Sequence, residues 1–432
     1  MAPRGVNPDG NFSAAEKVNG SGLPSAVKTN PPPDGGFGAW LQVFASWVLI
    51  FNAWGISITF GDYQAYYESG RLFQQTSSNI SWIGSIQAFL IFGVGAVAGP
   101  FYDRGYLRLI LLVGSFLVVF GHMMLSLCHE YWQVLLAQGF AVGIGGGCLF
   151  VPSLAVMQPY FSKNLGLALG IAATGSSLGG VIYPVIFINL IDKVGFGWTT
   201  RVIGFVSLAT LIIPLSFSKM RIKPAGVRSI IDKTAFTDGP YLLCILACLL
   251  GYIGCYTAFY YIAYFGEARN WMGSSLALYL VPILNASSAF GRAVPNWLTD
   301  KLGPTNVVMP GALLTGVLLL CLLAVHNSAG LIVIAAFLGF TTGVFIATPP
   351  VLFISLTKDK SKVGTRVGMA FAIVGLGVLA GGPGGGGILQ RNPDNLDWTS
   401  TWIYAGVCTL ASGLTFAVLK FWRGGPNPLA KV

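Results

Sequence analysis

Beyond about thirty polar residues the chain becomes a series of continuous apolar runs, each close to 20 residues long, separated by short polar stretches. A helix rising 1.5 Å per residue crosses a hydrocarbon core of about 30 Å with about 20 residues. Membrane-barrel strands would be runs of about ten with alternating polarity, and these runs do not alternate. The pattern predicts helices over 39–60, 80–101, 107–127, 132–157, 164–191, 199–218, 239–264, 273–298, 306–326, 329–356, 364–389 and 399–421. The one long internal polar interval, 219–238, divides them six and six. The expected organisation is a disordered N-terminal tail over 1–38, a six-helix bundle over 39–218, a central loop over 219–238, a second bundle over 239–422 and a tail over 423–432. No apolar core follows the start, so the first residues do not read as a signal peptide. The fold class is therefore an all-α polytopic membrane protein, with 12 transmembrane helices in two pseudo-symmetric six-helix bundles.

Composition agrees. Of 432 residues, 54% are hydrophobic and 9% charged, and mean hydropathy is +0.70. A soluble domain carries about 25% charged residues, and a core of this size could not hide so much apolar surface. Abundant Leu, Ile, Val and Phe exclude disorder. The net charge of +10 would suggest nucleic acid in a soluble protein, but here its placement matters more than its sum. With both termini in the cytoplasm, 19 of the 25 basic residues fall on the cytoplasmic side and five (Arg71, Lys193, Arg201, Arg269, Arg391) outside. That is a strong positive-inside bias. One, Arg292, falls within a span. The seven cysteines lie in or beside apolar runs without metal-ligand spacing and read as packing residues.

The halves repeat. Asp103-Arg104 ends the second helix as Asp300-Lys301 ends the eighth, at an offset of 197; Gly143 and Gly147 match Gly339 and Gly343, and Gly170 and Gly179 match Gly368 and Gly377, at nearly the same offset. Two parallel six-helix halves resemble the architecture of the major facilitator superfamily, in which a midmembrane site is exposed alternately to each side. Small residues such as Gly145, Gly146, Gly147, Gly170, Gly175 and Gly179 allow close helix approach. The run Gly381-Gly-Pro-Gly-Gly-Gly-Gly387 reads either as a bend at a gate or as a plain helix end. Asp103, Arg104, Asp300 and Lys301 read as conformational-switch residues, pairing in one state and releasing in another; exposed loop charges are the bland alternative.

Arg292 is the most informative residue. Lying eight positions before Asp300, it sits about 12 Å along the helix and so near midmembrane. A charge there costs at least about 2.5–3.5 kcal/mol on insertion scales, and a guanidinium can hold a carboxylate bidentately. No Asp or Glu is expected deep in a span, so the substrate itself becomes the anionic partner. Asn52, Trp54 and Ser57 on helix 1, Tyr256 and Tyr260 on helix 7, and Asn285 and Ser288 on helix 8 share that depth and are expected to complete a binding cavity. His122 reads as structural, not as a proton carrier. Asn79-Ile-Ser81 is a weak glycosylation sequon. No His/Glu/Asp cluster or nucleophile–base pair lies in the spans, so neither an enzyme nor a metal site is expected.

Two segments resemble a known family. Asp34-Gly35-Gly36-Phe-Gly-Ala-Trp40, after three prolines, is similar to the helix-1 signature of the monocarboxylate transporter family, and Asp34 is placed to cap helix 1. Tyr160-Phe161-Ser-Lys163 through Gly170 to Gly175 resembles that family's helix 4–5 signature. Ser81-Trp82-Ile83-Gly84-Ser85 and Trp198-Thr-Thr-Arg201 also fit, the latter most like the filamentous-fungal branch. The resemblance spans 31 to about 422. It implies alternating-access transport of an organic anion, often with a proton. It also implies departures: the helix 1 Lys of proton-coupled lactate carriers aligns with Ile56, and the acidic partner of the helix 8 Arg with Ser288. Only Arg292 matches, which suits a larger, partly apolar acid. The expected function is efflux of an organic acid or acidic secondary metabolite across the plasma membrane, without cofactor. The expected partners are a small organic anion and the lipid bilayer, with neither nucleic acid nor a protein partner. An importer of a monocarboxylate or riboflavin-like nutrient stays open. So does a non-transporting nutrient sensor, although short tails speak against it.

Overall fold

The computed structural model describes residues 32–222, 227–359, 362–391 and 395–425. The expected N-terminal tail up to residue 31 and the C-terminal tail from residue 426 lie outside them. So do Lys223, Lys360 and the side chain of Asp300. The described backbone is helical, and we number the long helices α1 (Phe37–Glu68), α2 (Ser77–Asp103), α3 (Leu107–Leu125), α4 (Tyr131–Ala155), α5–α6 (Leu165–Phe217) and α7 (Gly239–Ala268). The second set is α8 (Leu280–Leu302), α9 (Pro304–Ala324), α10 (Ser328–Leu356), α11 (Val363–Leu389) and α12 (Trp398–Gly424). Ten stretches qualify as spans by length and hydropathy. The count of twelve follows because α5 and α6 run on as one stretch, and because α8, with its Asn, Arg, Asp and Lys, is less apolar.

Two expectations are corrected here. The link between α5 and α6 is shorter than expected: the two helices part at Gly195, whose non-helical φ of 76° and ψ of 172° suit glycine. Helix 1 does not stop at residue 60 either. It continues through Thr59 to Glu68, because Asp62 and Gln64, which lower the hydropathy of this stretch, are buried against neighbouring helices instead of facing solvent.

The halves meet along three seams: α2 on α11, α5 on α8, and the end of α1 on α7. Within the halves, α1 packs on α5, α2 on α4, α7 on α12 and α8 on α10. Glycines make these approaches possible. A Cβ on Gly55 would lie 2.6 Å from the Cα of Gly179. Gly381 and Gly377 of α11 lie similarly against the backbone carbonyls of Ile253 and Leu249. Helix α11 runs through Gly381–Gly387, with Pro383 inside it, to Leu389. That run is the surface on which α2 and α7 close.

The two family signatures bind each other. Asp34 does not cap α1, whose N-cap is Gly36 without a side-chain bond. Its backbone N–H donates to the Tyr160 carbonyl (3.0 Å), and its carboxylate accepts from the Ser162 N–H (2.5 Å), the Ser162 hydroxyl (2.7 Å) and the Lys163 N–H (2.7 Å). Those donors, the Ser162 amide foremost, pull its pKa down to about 2. Trp40 meets Phe161 edge to face at 5.3 Å. Gly175, further along the second signature, packs on the Trp47 carbonyl of α1, and Gly170 is buried on α5.

Candidate functional site

Between the halves lies a cavity of about 80 Å³. Its walls are α1 (Ile50, Trp54, Ile58), α2 (Phe92), α4 (Phe150), α5 (Ala173, Ser176), α7 (Tyr252, Tyr256), α8 (Arg292) and α11 (Phe371). The rings form a continuous lining. Trp54 packs on Phe92 at 4.7 Å, Phe92 stacks on Phe371 at 5.1 Å and 4°, and Tyr252 stacks on Tyr256 at 5.9 Å. A second chamber of about 70 Å³ shares the Phe92–Phe150–Phe371 wall and extends to Gly99, Gly364 and Arg228 at the central-loop end.

Arg292 is 4% exposed and lies in the cavity wall midway along α8. Its Nε donates to Ser288 Oγ (3.2 Å), one turn earlier on the same helix. Its Nη1 donates to Ser176 Oγ and the Ala173 carbonyl of α5. All three acceptors are neutral. The guanidinium is thus held by both halves of the molecule, while no ion pair to a carboxylate forms among the described residues. A buried cation satisfied only by dipoles keeps its full charge available to an anion entering the cavity.

The other expected site residues divide. Trp54 and Tyr256 line the cavity beside Arg292. Ser288 orients the guanidinium. Asn52 does not face the cavity: its amide donates to the Val48 carbonyl and Thr210, and its Oδ1 accepts from Tyr183, tying α1 to α5 and α6. Asn285 donates back to the Val281 carbonyl and packs against Gly180 in the α5–α8 seam. Ser57 is buried off the cavity, and Tyr260 packs edge-on to Phe60 beyond it. On α1 same depth did not mean same face: Asn52 and Ser57 lie two and three residues from Trp54, about 160° and 60° away around the helix axis. Ile56 is likewise buried off the cavity, so a lysine there would meet helix packing and not substrate. The sequence reading missed Ser176, Phe92, Phe150, Tyr252 and Phe371. Tyr252 stands one turn before Tyr256 in a series of tyrosines (252, 256, 260) at four-residue spacing; the rest are uncharged positions on other helices that only the fold assembles.

At the central-loop end the expected switch has a different partner. Asp103 binds Arg228 of the central loop bidentately (2.5 and 2.6 Å) and also accepts its backbone N–H (3.0 Å). Arg104 lies exposed by the Phe101 ring, and the Lys301 ammonium sits over Trp297 at 3.7 Å. A second cluster joins Arg366 of α11 to Asp232 (3.0 Å) and Asp238 (2.7 Å), with Lys362 on Asp232 (3.2 Å). The hydroxyl of Thr234, then Arg366 and Lys362, hold the Asp232 carboxyl well below the usual range. Among the described residues the far end is closed without ion pairs across the seam. There the Ser77 N–H donates to Gln390 (2.8 Å), the Ser78 hydroxyl to the Pro383 carbonyl (3.1 Å), and the Tyr261 hydroxyl to the Ser77 carbonyl (3.1 Å) and Gly382 carbonyl (3.2 Å). Asn79 is exposed at the start of α2.

A cavity between two six-helix halves, closed at one end and charged by a buried cation, defines a multi-pass membrane transporter and not an enzyme. The chain belongs to the major facilitator superfamily: the family profile matches residues 36–306 and 288–432. The chain is 55% identical over 385 residues to the MFS-type transporter dbaD of Emericella nidulans, covering 89% of this chain and 86% of that one. It is 40% identical to MFS-type transporter 1 of an Ophiocordyceps species (93% and 89% covered), and 34% identical to the aspyridones efflux protein apdF of Emericella nidulans (85% and 75% covered).

Proposed function

We propose that the chain is a secondary active carrier of the monocarboxylate-porter type that exports an organic acid, an acidic secondary metabolite, across the plasma membrane. Both termini face the cytoplasm, in line with the distribution of basic residues. The observation that carries the reading is the guanidinium of Arg292, buried in an aromatic wall with only neutral partners. It accepts the carboxylate, Trp54, Tyr252, Tyr256 and the Phe92–Phe371 stack receive the apolar body, and the Gly-rich seams let the halves rock. The wall is too apolar for a small, strongly hydrated acid and suits a ring-bearing one. Several relatives bear transporter names, one of them an efflux name.

The test is counterflow of radiolabelled 1-naphthoate and lactate in proteoliposomes. Naphthoate exchanges and lactate does not. Arg292→Ala, monodisperse on gel filtration, loses naphthoate exchange by about 30-fold or more, the effect of removing one member of a buried charge pair. Undiminished exchange in that variant removes Arg292 as the anchor, and exchange of lactate alone overturns the substrate class.

A further inference from the structure

Ile50, Trp54 and Ile58 line the cavity at four-residue spacing on α1. The next member of that series, one turn beyond Ile58, is Asp62. It is fully buried, and neither carboxyl oxygen has a hydrogen-bond partner. Its turn of α1 is enclosed from every side: Phe60 packs on Gly84 of α2 and Tyr260 of α7, Gly61 on the Phe259 carbonyl of α7 and on Val281 of α8, and Tyr63 on Phe187 of α5. Among the titratable groups on these elements are the phenols of Tyr256, Tyr260 and Tyr261 and the thiols of Cys244, Cys248 and Cys255 on α7, Tyr183 on α5, Tyr279 ahead of α8, and Tyr63, Tyr66 and Tyr67 on α1 itself, with Tyr102 and Asp103 at the opposite end of α2. The neighbouring charges lie elsewhere. Glu68 is two turns further out, bonded to Gln64, and the Arg71–Asp192 pair is exposed. Arg292 is held deeper in the cavity wall by Ser288 and Ser176. Glu267 stands near the outer end of α7. Neither carboxyl oxygen of Asp62 meets a protein donor or a counter-charge here, so the closed seam favours the neutral acid.

We propose that Asp62 is a proton-binding site that latches the outer closure. As the α1–α7 seam shuts, the wet carboxylate takes a proton from water at the outer face, forming its O–H bond; as the seam opens, the proton returns to that face. External pH then sets how readily the carrier closes, with no net proton crossing the membrane. This rests on the reading of the chain as an alternating-access carrier with cytoplasmic termini.

The experiment is hydrogen–deuterium exchange of the full chain in proteoliposomes at internal pH 7 and external pH 5 to 8, corrected for intrinsic rates, with naphthoate counterflow and proton flux recorded in parallel. In the wild type, protection over 60–68 and 77–85 falls with rising external pH by up to about tenfold per unit, the limit for one linked proton. Asp62→Asn, neutral at every pH, keeps full protection throughout; Asp62→Glu restores the pH response. Identical pH responses in wild type and Asp62→Asn, or a wild type without response, overturn the latch. So does a fixed proton-to-naphthoate stoichiometry that Asp62→Asn abolishes, which makes Asp62 a coupling site instead. Failure of the substrate reading shows separately, as absent naphthoate exchange with the pH response intact.

Discussion

The two ends of the bundle are closed by opposite chemistries. At the central-loop end, Asp103–Arg228 and the Asp232–Arg366–Asp238 cluster clip loop to helix with charge, over a chamber that still reaches inward. At the far end the halves are joined by glycine contacts, aromatic edges and neutral hydrogen bonds. Ion pairs tolerate separation and re-formation in water, because each partner is well solvated when released. Close packing is all-or-none, because a misfit of one methyl is felt along the seam.

The comparison breaks most severely at Gly61. Gly61→Val sets a side chain against the Phe259 carbonyl. We expect a stability loss of about 1–3 kcal/mol on thermal unfolding, with naphthoate exchange lost because the far end no longer shuts. Next comes Arg228→Ala, which strips Asp103 of its guanidinium. The expected cost is about 1–3 kcal/mol, between the values for exposed and buried pairs, with faster amide exchange over 227–238 and none over 60–68. A smaller contrast needs no mutation. Raising salt from 0.05 to 1 M shortens the screening length to about 3 Å, so protection falls at the central-loop end only. Smallest is the Asp34 contact. Its folded pKa, about 2, lies below its ordinary 3.8. The contact is therefore at full strength above the ordinary value and is lost as pH falls from there toward 2. Asp34→Ala should lower the melting midpoint slightly at pH 7 and much less at pH 2, by differential scanning fluorimetry.

The helices were legible because a membrane span announces itself in twenty consecutive residues, and Arg292 because a charge in such a run is costly. The cavity was less legible. Trp54 and Tyr256 lie in its wall and Ser288 bonds Arg292 behind it, but Asn52, Ser57, Tyr260 and Asn285 turn into helix seams. Depth is written in the sequence, whereas rotation about the helix axis is decided by neighbours, and highly apolar helices carry little amphipathic signal to reveal it. Asp62 was hidden by the same polarity that makes it informative, since Asp62, Gln64 and Glu68 resemble the end of a span. Arg228 was counted as a loop charge, and only the folded loop brings it to Asp103.

The fastening of Asp34 to Ser162 and Lys163 has a mechanical consequence. Residues 34 and 162, distant in the chain, act as one rivet at the base of α1 and α5, so those helices share a pivot. A fluorophore at residue 35 and another beside residue 163 would report a single motion, and a change in their separation would signal a broken rivet and not a step of transport.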